Sequence, residues 1–92
     1  MFCVYVLKCK DGSLYTGYTN DLAARLKMHN EGKASKYTRI RLPVRIVAKW
    51  AFASKSEAMK YEASFKLLSR KSKMKEIKDT SFWKRTRSWQ ST

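Results

Sequence analysis

Glu62 stands inside an apolar stripe of helical spacing, beside Ala58, Tyr61 and Phe65, in a chain with only 7 Asp and Glu. A carboxylate set there needs a cation to offset its charge. Arg25 and His29 are four residues apart, so on a helix they project from one side, flanking the Leu22 and Leu26 stripe that must pack on a sheet. Tyr5 and Tyr15 lie in two strand-like segments joined by a short turn, and Gly17 follows two residues after Tyr15. A guanidinium binds oxyanions, a phenol or imidazole can pass a proton, and a carboxylate can hold a cation.

Those side chains depend on particular elements to bring them together. Phe2 to Cys9 and Leu14 to Thr19 are rich in β-branched and aromatic residues, with Lys10-Asp11-Gly12-Ser13 between them, which predicts a β-hairpin. Two closures are open. An Asp-Gly turn pairs Lys10 with Ser13 and puts Tyr5 and Tyr15 on opposite faces. A three-residue loop with Gly12 in the left-handed region pairs Cys9 with Ser13, Leu7 with Tyr15 and Tyr5 with Gly17. In the second register both tyrosines share a face, and Gly17, lacking a side chain, would leave room for a phosphate to approach the backbone as a pocket floor.

From Asn20 the period becomes helical: Leu22, Leu26 and His29 recur, Asn20 or Asp21 can cap the start, and Gly32 can end a helix from about Asp21 to Glu31. A basic loop, Lys33 to Leu42, and Pro43 then lead into Val44 to Phe52, whose Val, Ile, Trp and Phe content predicts a third strand. Ser54-Lys55-Ser56-Glu57 has the form of a capping box, and Ala58, Tyr61, Phe65 and Leu68 mark a second helix to about Ser69. Arg70 to Lys78 can form a short third helix with Met74 and Ile77 facing inward. The expected architecture is α/β: a small three-stranded, mainly antiparallel sheet flanked by helices over residues 1–79, followed by a basic aromatic tail over 80–92.

The composition sets the partner. A chain of 92 residues suffices for one compact domain and one site. With 21 Lys and Arg its net charge is +14, a density that asks for a polyanion. The basic residues run along the whole chain instead of gathering on one face of a long amphipathic helix, which favours nucleic acid over an anionic membrane surface. Phe2 to Leu7 is shorter than the core of a signal peptide, and no apolar run approaches the roughly 20 residues of a membrane span. Cys3 and Cys9 would lie roughly 20 Å apart in one extended segment, too far to bridge. A soluble, unprocessed, reduced cytoplasmic protein is the expectation.

In their order and on those elements, Tyr5, Tyr15, Gly17, Arg25, His29 and Glu62 resemble the GIY-YIG nuclease superfamily, over about Phe2 to Lys78. The name motifs read Cys3-Val4-Tyr5 and Tyr15-Thr16-Gly17, with Cys3 where the family's first Gly is usual. The sequence is most similar to the short stand-alone branch, in which Tyr15-Thr16-Gly17-Tyr18-Thr19 leads into the Arg helix and Ser35-Lys36-Tyr37-Thr38-Arg39 follows. The Asn that often follows the metal-binding Glu in larger members has no clear counterpart after Glu62.

The resemblance implies an endonuclease that hydrolyses phosphodiester bonds, of DNA more than RNA, in repair or recombination. It implies that Glu62 holds one Mg²⁺ or Mn²⁺, weakly without substrate, and that Arg25 neutralises charge building on the phosphate. Tyr5 or Tyr15 would take a proton from the attacking water, beside Gly17, and His29 would relay it. Lys33, Lys36, Arg39 and Arg41, with Tyr37 and Thr38, would track the nucleic-acid backbone beside the active face.

Each residue also has a plainer reading. A strand tyrosine packs, a histidine near a helix end meets the last carbonyls, a glutamate pairs with lysine, and an arginine adds affinity without rate. A basic loop is often only solvated. Phe82, Trp83 and Trp89, interleaved with Lys84, Arg85 and Arg87, suit stacking on bases and suit packing back on the core equally. The second class of function is a non-catalytic nucleic-acid-binding module with the same fold; a protein partner that supplies specificity is compatible with both.

Overall fold

Gly12 decides how the hairpin closes. Its φ of +86° lies in the left-handed region, which a β-carbon would make costly. There the loop closes over three residues: Gly12 N donates to Cys9 O, and Cys9 N to Ser13 O, both at 2.9 Å. Strands β1 (Phe2–Lys8) and β2 (Leu14–Thr19) therefore pair antiparallel with Leu7 opposite Tyr15 and Tyr5 opposite Gly17. This is the register in which both tyrosines share a face. The structure is a computed structural model that describes residues 1–79, so the expected tail over 80–92 lies outside the described residues.

Helix α1 (Leu22–Asn30) starts at Asp21, whose Oδ1 accepts from Ala24 N at 3.1 Å, and ends at Gly32, which has φ +76° and donates to His29 O. The segment expected to be a plain basic loop contains a single helical turn, α2 (Lys36–Arg39), capped by Ser35 Oγ accepting from Tyr37 N. Strand β3 (Arg45–Phe52) then pairs antiparallel with the free edge of β1, giving the order β2-β1-β3. Opposite Val6 and Leu7 stand Ala48 and Ile46, so β3 carries one extra residue there, a β-bulge.

The entry into β3 is held from α1. Asn30 Oδ1 accepts from Val44 N at 2.9 Å and Asn30 Nδ2 donates to Val44 O at 3.2 Å. Removing both bonds with Asn30→Ala should lower the unfolding free energy by about 1–2 kcal/mol, read as a shift of the urea midpoint at unchanged m-value. An unshifted midpoint would show that water replaces the amide without loss.

Because β1 is the central strand, Val4, Tyr5, Val6 and Leu7 are all buried. On one face Tyr5, Leu7, Cys9 and Val44 pack under Leu22 and Leu26 of α1. On the other, Val6 and Ala48 pack with Phe65 of α3 (Lys55–Lys66) and Ile77. Ser54 Oγ caps α3 by accepting from Glu57 N at 3.2 Å. The helix stops at Lys66, before the expected end at Ser69, and Leu68 lies past it, 37% exposed instead of in the stripe.

A last helix, α4, occupies 70–79. It touches the domain along one row: Lys73 over the Phe65 ring, Glu76 accepting from Tyr61 Oη at 3.3 Å, and buried Ile77. Met74 was expected to face inward with Ile77 but falls off that row and is 40% exposed.

Candidate active site

Beside the edge strand β2 opens a cavity of about 420 Å³. The hairpin contributes Tyr5, Tyr15 and Gly17 to its lining, α1 contributes Arg25, and α3 contributes Lys55 and Glu62, with Phe2, Tyr18, Thr19 and Asn20 completing the wall. Five of the six residues singled out for chemistry thus meet at one place. Arg25 is carried there by the turn that Asp21 caps, its N–H bonding Asp21 O at 3.0 Å. Glu62 is carried by α3, which buries Ala58 and Phe65 and leaves the Glu62 side chain 18% exposed at the border of that stripe. Its Oε2 lies 3.4 Å from Lys66 Nζ, one helical turn on.

The sixth residue stands behind the cavity. His29, expected to border the sheet surface, is 0% exposed. Its Nε2 is 2.9 Å from Tyr5 Oη and its Nδ1 is 2.9 Å from Thr38 Oγ1. The Tyr15 ring meets the imidazole edge-on at 5.2 Å between centroids, and stacks against Tyr37 at 6.1 Å. The room expected above Gly17 is filled by protein: a β-carbon there would lie 2.6 Å from Tyr5 Oη and 2.8 Å from Tyr5 Cζ. Gly17 is what lets the Tyr5 phenol lie across the strand and reach His29, so the cavity floor is that phenol together with the glycine.

Burial pushes the Tyr5 phenol well above the usual range, the neighbouring Tyr15 adds to this, and the Arg25 guanidinium opposes it. Burial likewise pushes the His29 imidazole below its ordinary value, and Arg25 acts in the same direction. His29 is therefore neutral at pH 7. Its unfolded value is about 6.5, so below that pH the unfolded chain takes up a proton more readily than the native one. The stability it contributes is fully present above about pH 6.5 and is lost as pH falls through the lower native value. Unfolding free energies at pH 7.5 and pH 5.5 should differ in that sense, and by less in His29→Gln; an equal difference in both proteins would assign the effect to other groups.

Residues 1–76 match the family model described as the GIY-YIG catalytic domain. The chain belongs to the GIY-YIG family. Among similar proteins, a UPF0213 protein of Halalkalibacterium halodurans is 60% identical over 70 residues, 76% of this chain and 74% of that one. The UPF0213 protein YazA of Bacillus subtilis is 55% identical over 69 residues, 75% and 70% of the two chains. Two solution NMR structures share the fold. One, of a UPF0213 protein from Bacillus halodurans, has TM-score 0.56 and 54% identity, covering 85% of this chain and 84% of that one. The other, of a protein from E. faecalis, has TM-score 0.60 and 44% identity, covering 87% and 85%. Among the described residues no helix of this GIY-YIG domain is long and apolar enough to cross a membrane.

The basic residues expected to track a backbone do not line the cavity. Arg41 is committed within the fold: Nε donates to Asp11 Oδ2 at 3.1 Å, Nη1 donates to Tyr37 O at 2.9 Å, and the guanidinium sits 3.8 Å over the Tyr37 ring. It ties α2 to the hairpin loop. Lys33 Nζ lies 3.8 Å from Glu31, while Lys36 and Arg39 are exposed on α2. Thr38, grouped with them by sequence, is fully buried against His29, because the turn capped by Ser35 directs it inward. Lys55, the first residue of α3, lines the cavity and was not singled out; its place just after a capping serine was the available signal.

The described residues offer a divalent ion one carboxylate, so the rest of its shell would come from substrate and water. Among the described residues no three His, Cys, Asp or Glu come together as a cation site. Among the described residues Glu62 is the one carboxylate in the cavity lining. A single carboxylate completed by phosphate and water oxygens suits a hard ion such as Mg²⁺.

Proposed function

We propose that this protein is a divalent-metal-dependent endonuclease that hydrolyses phosphodiester bonds of DNA. The observation that carries the reading is the meeting of Tyr5, Tyr15, Gly17, Arg25 and Glu62, from the hairpin and two helices, around one cavity in a chain of net charge +14. GIY-YIG membership supports it by placing the chain in a nuclease superfamily.

Each residue has a role set by its chemistry. The planar guanidinium of Arg25 neutralises charge that builds on the phosphate in the transition state. Glu62 would hold Mg²⁺ or Mn²⁺, which when bound supplies positive charge to the phosphate and the leaving oxygen. The attacking water gives its proton to Tyr5 Oη as Tyr5 gives its own to His29 Nε2, so a phenol that ionises poorly needs no free phenolate state. Tyr15 packs against His29 and walls the same space. Lys36, Arg39 and Lys55 supply cations for the flanking phosphates.

The test is nicking of supercoiled plasmid with Mg²⁺ or Mn²⁺. Chelation should abolish it and an excess of the ion restore it. Cleavage that ignores chelation, or none across metals and substrates, counts against the reading. The second reading, a non-catalytic DNA-binding module, is favoured by the Lys66–Glu62 ion pair, which engages one carboxylate oxygen. It requires salt-sensitive binding without nicking.

A further inference from the structure

The geometry points to Thr38 as a positioning residue: its hydroxyl holds His29 in the tautomer that carries the proton on Nδ1 and leaves Nε2 to accept from Tyr5. His29 is the single histidine of the chain, fully buried, with each ring nitrogen 2.9 Å from one hydroxyl. A neutral imidazole has one donor and one acceptor, and a hydroxyl can play either part, so contact alone leaves two directions open.

The Ser35 end of the chain of contacts closes that choice. There Thr38 Oγ1 lies 3.4 Å from the Ser35 carbonyl oxygen, which can only accept. With the Thr38 hydrogen on that carbonyl, in the back-bonding geometry common for threonine on a helical turn, Oγ1 must accept from His29 Nδ1–H. A neutral imidazole with its hydrogen on Nδ1 has none on Nε2, so the hydrogen between Nε2 and Tyr5 Oη, 2.9 Å apart, is the phenol's. A carbonyl that only accepts thus sets the direction of every bond from Tyr5 to Ser35.

The catalytic consequence rests on the nuclease reading. With Nε2 bare, a proton can leave water for Tyr5 Oη while the Tyr5 proton passes to Nε2, and the resulting imidazolium keeps its Nδ1–H on Thr38. In the opposite tautomer Nε2 already carries hydrogen and the transfer has no destination. The same turn of α2 also places Tyr37 against Tyr15, so consecutive residues of α2 brace both tyrosines of the site.

Thr38→Val keeps the shape and removes the hydroxyl, whereas Thr38→Ser keeps the hydroxyl. Long-range ¹H–¹⁵N NMR of the full chain with labelled histidine reads one imidazole without overlap. At neutral pH, wild type and Thr38→Ser should show the proton on Nδ1, and Thr38→Val should shift it to Nε2 or mix the two. A wild-type imidazole protonated on Nε2, or one whose tautomer is unchanged in Thr38→Val, overturns the proposal. Because the wild-type spectrum decides by itself, poor folding of the valine variant does not rescue it. Nicking should fall about 10- to 100-fold in Thr38→Val, part of the roughly 10²–10⁴-fold that a positioned acid–base relay supplies, and recover in Thr38→Ser. Absence of nicking in wild type would overturn the nuclease reading, with the spectrum still deciding the tautomer.

Discussion

Glu62→Ala should slow plasmid nicking about a thousandfold while DNA affinity holds or rises. The size follows from electrostatic stabilisation of a phosphoryl transition state, where one well-placed group is worth about 10²–10³ in rate, and among the described residues Glu62 is the one carboxylate lining the cavity. The affinity follows from charge. Removing a carboxylate from a chain of net charge +14 makes it more cationic, and Lys66 Nζ, now 3.4 Å from Glu62, becomes available to a phosphate. Rate and binding therefore move apart, which separates loss of chemistry from loss of substrate. The substitution lies at a partly exposed position whose ion pair is of the weak i, i+4 kind, so the melting temperature should change by only a few degrees. Glu62→Gln tests the same point with the side-chain shape kept. Equal nicking by variant and wild type, purified identically, would remove Glu62 from the chemistry and favour the binding module.

The residues that line the candidate site were legible in part: two elements show them by local pattern, whereas Tyr5, Tyr15 and Gly17 stand out only through the resemblance as a whole. Glu62 interrupts an apolar stripe, and Arg25 and His29 fall four apart beside Leu22 and Leu26. What sequence left open was the hairpin register, since Lys10-Asp11-Gly12-Ser13 suits two closures; the positive φ of Gly12 and the Cys9–Ser13 bond select one. Turn α2 was not legible. Four residues carry too little periodicity to signal a helix, and a threonine among Lys36, Tyr37 and Arg39 looks solvent-facing until α2 is packed against α1.

The same limit applies to Met74 and Leu68, whose apolar spacing is sound but whose faces depend on where neighbouring elements end. Arg41 is the converse case. Composition makes it one more phosphate contact, and its bonds to Asp11 and Tyr37 make it a brace between the hairpin loop and α2. Charge counts describe how strongly a polyanion is attracted, and only packing separates the cations that meet it from those that hold the fold.

Gly17→Ala should be among the most damaging small substitutions in the protein, lowering both stability and rate. The added β-carbon would sit 2.6 Å from Tyr5 Oη, 2.8 Å from Tyr5 Cζ and 3.3 Å from Tyr15 Cε2. A flexible side chain could yield, but the Tyr5 ring is buried and its hydroxyl is bonded to His29, itself buried and bonded on its other ring nitrogen to Thr38. Overpacking of this kind costs about 1–3 kcal/mol, which for a domain of this size lowers Tm by roughly 5–20 °C. A displacement of Tyr5 on the order of 1 Å would cost about a hundredfold in rate. Coupling tests the cause: in a Tyr5→Phe background the contact to Oη is gone, so Gly17→Ala should destabilise less than in wild type. If the glycine served instead as open floor for a phosphate, alanine would leave Tm unchanged and would weaken DNA binding, and the Tyr5→Phe background would make no difference.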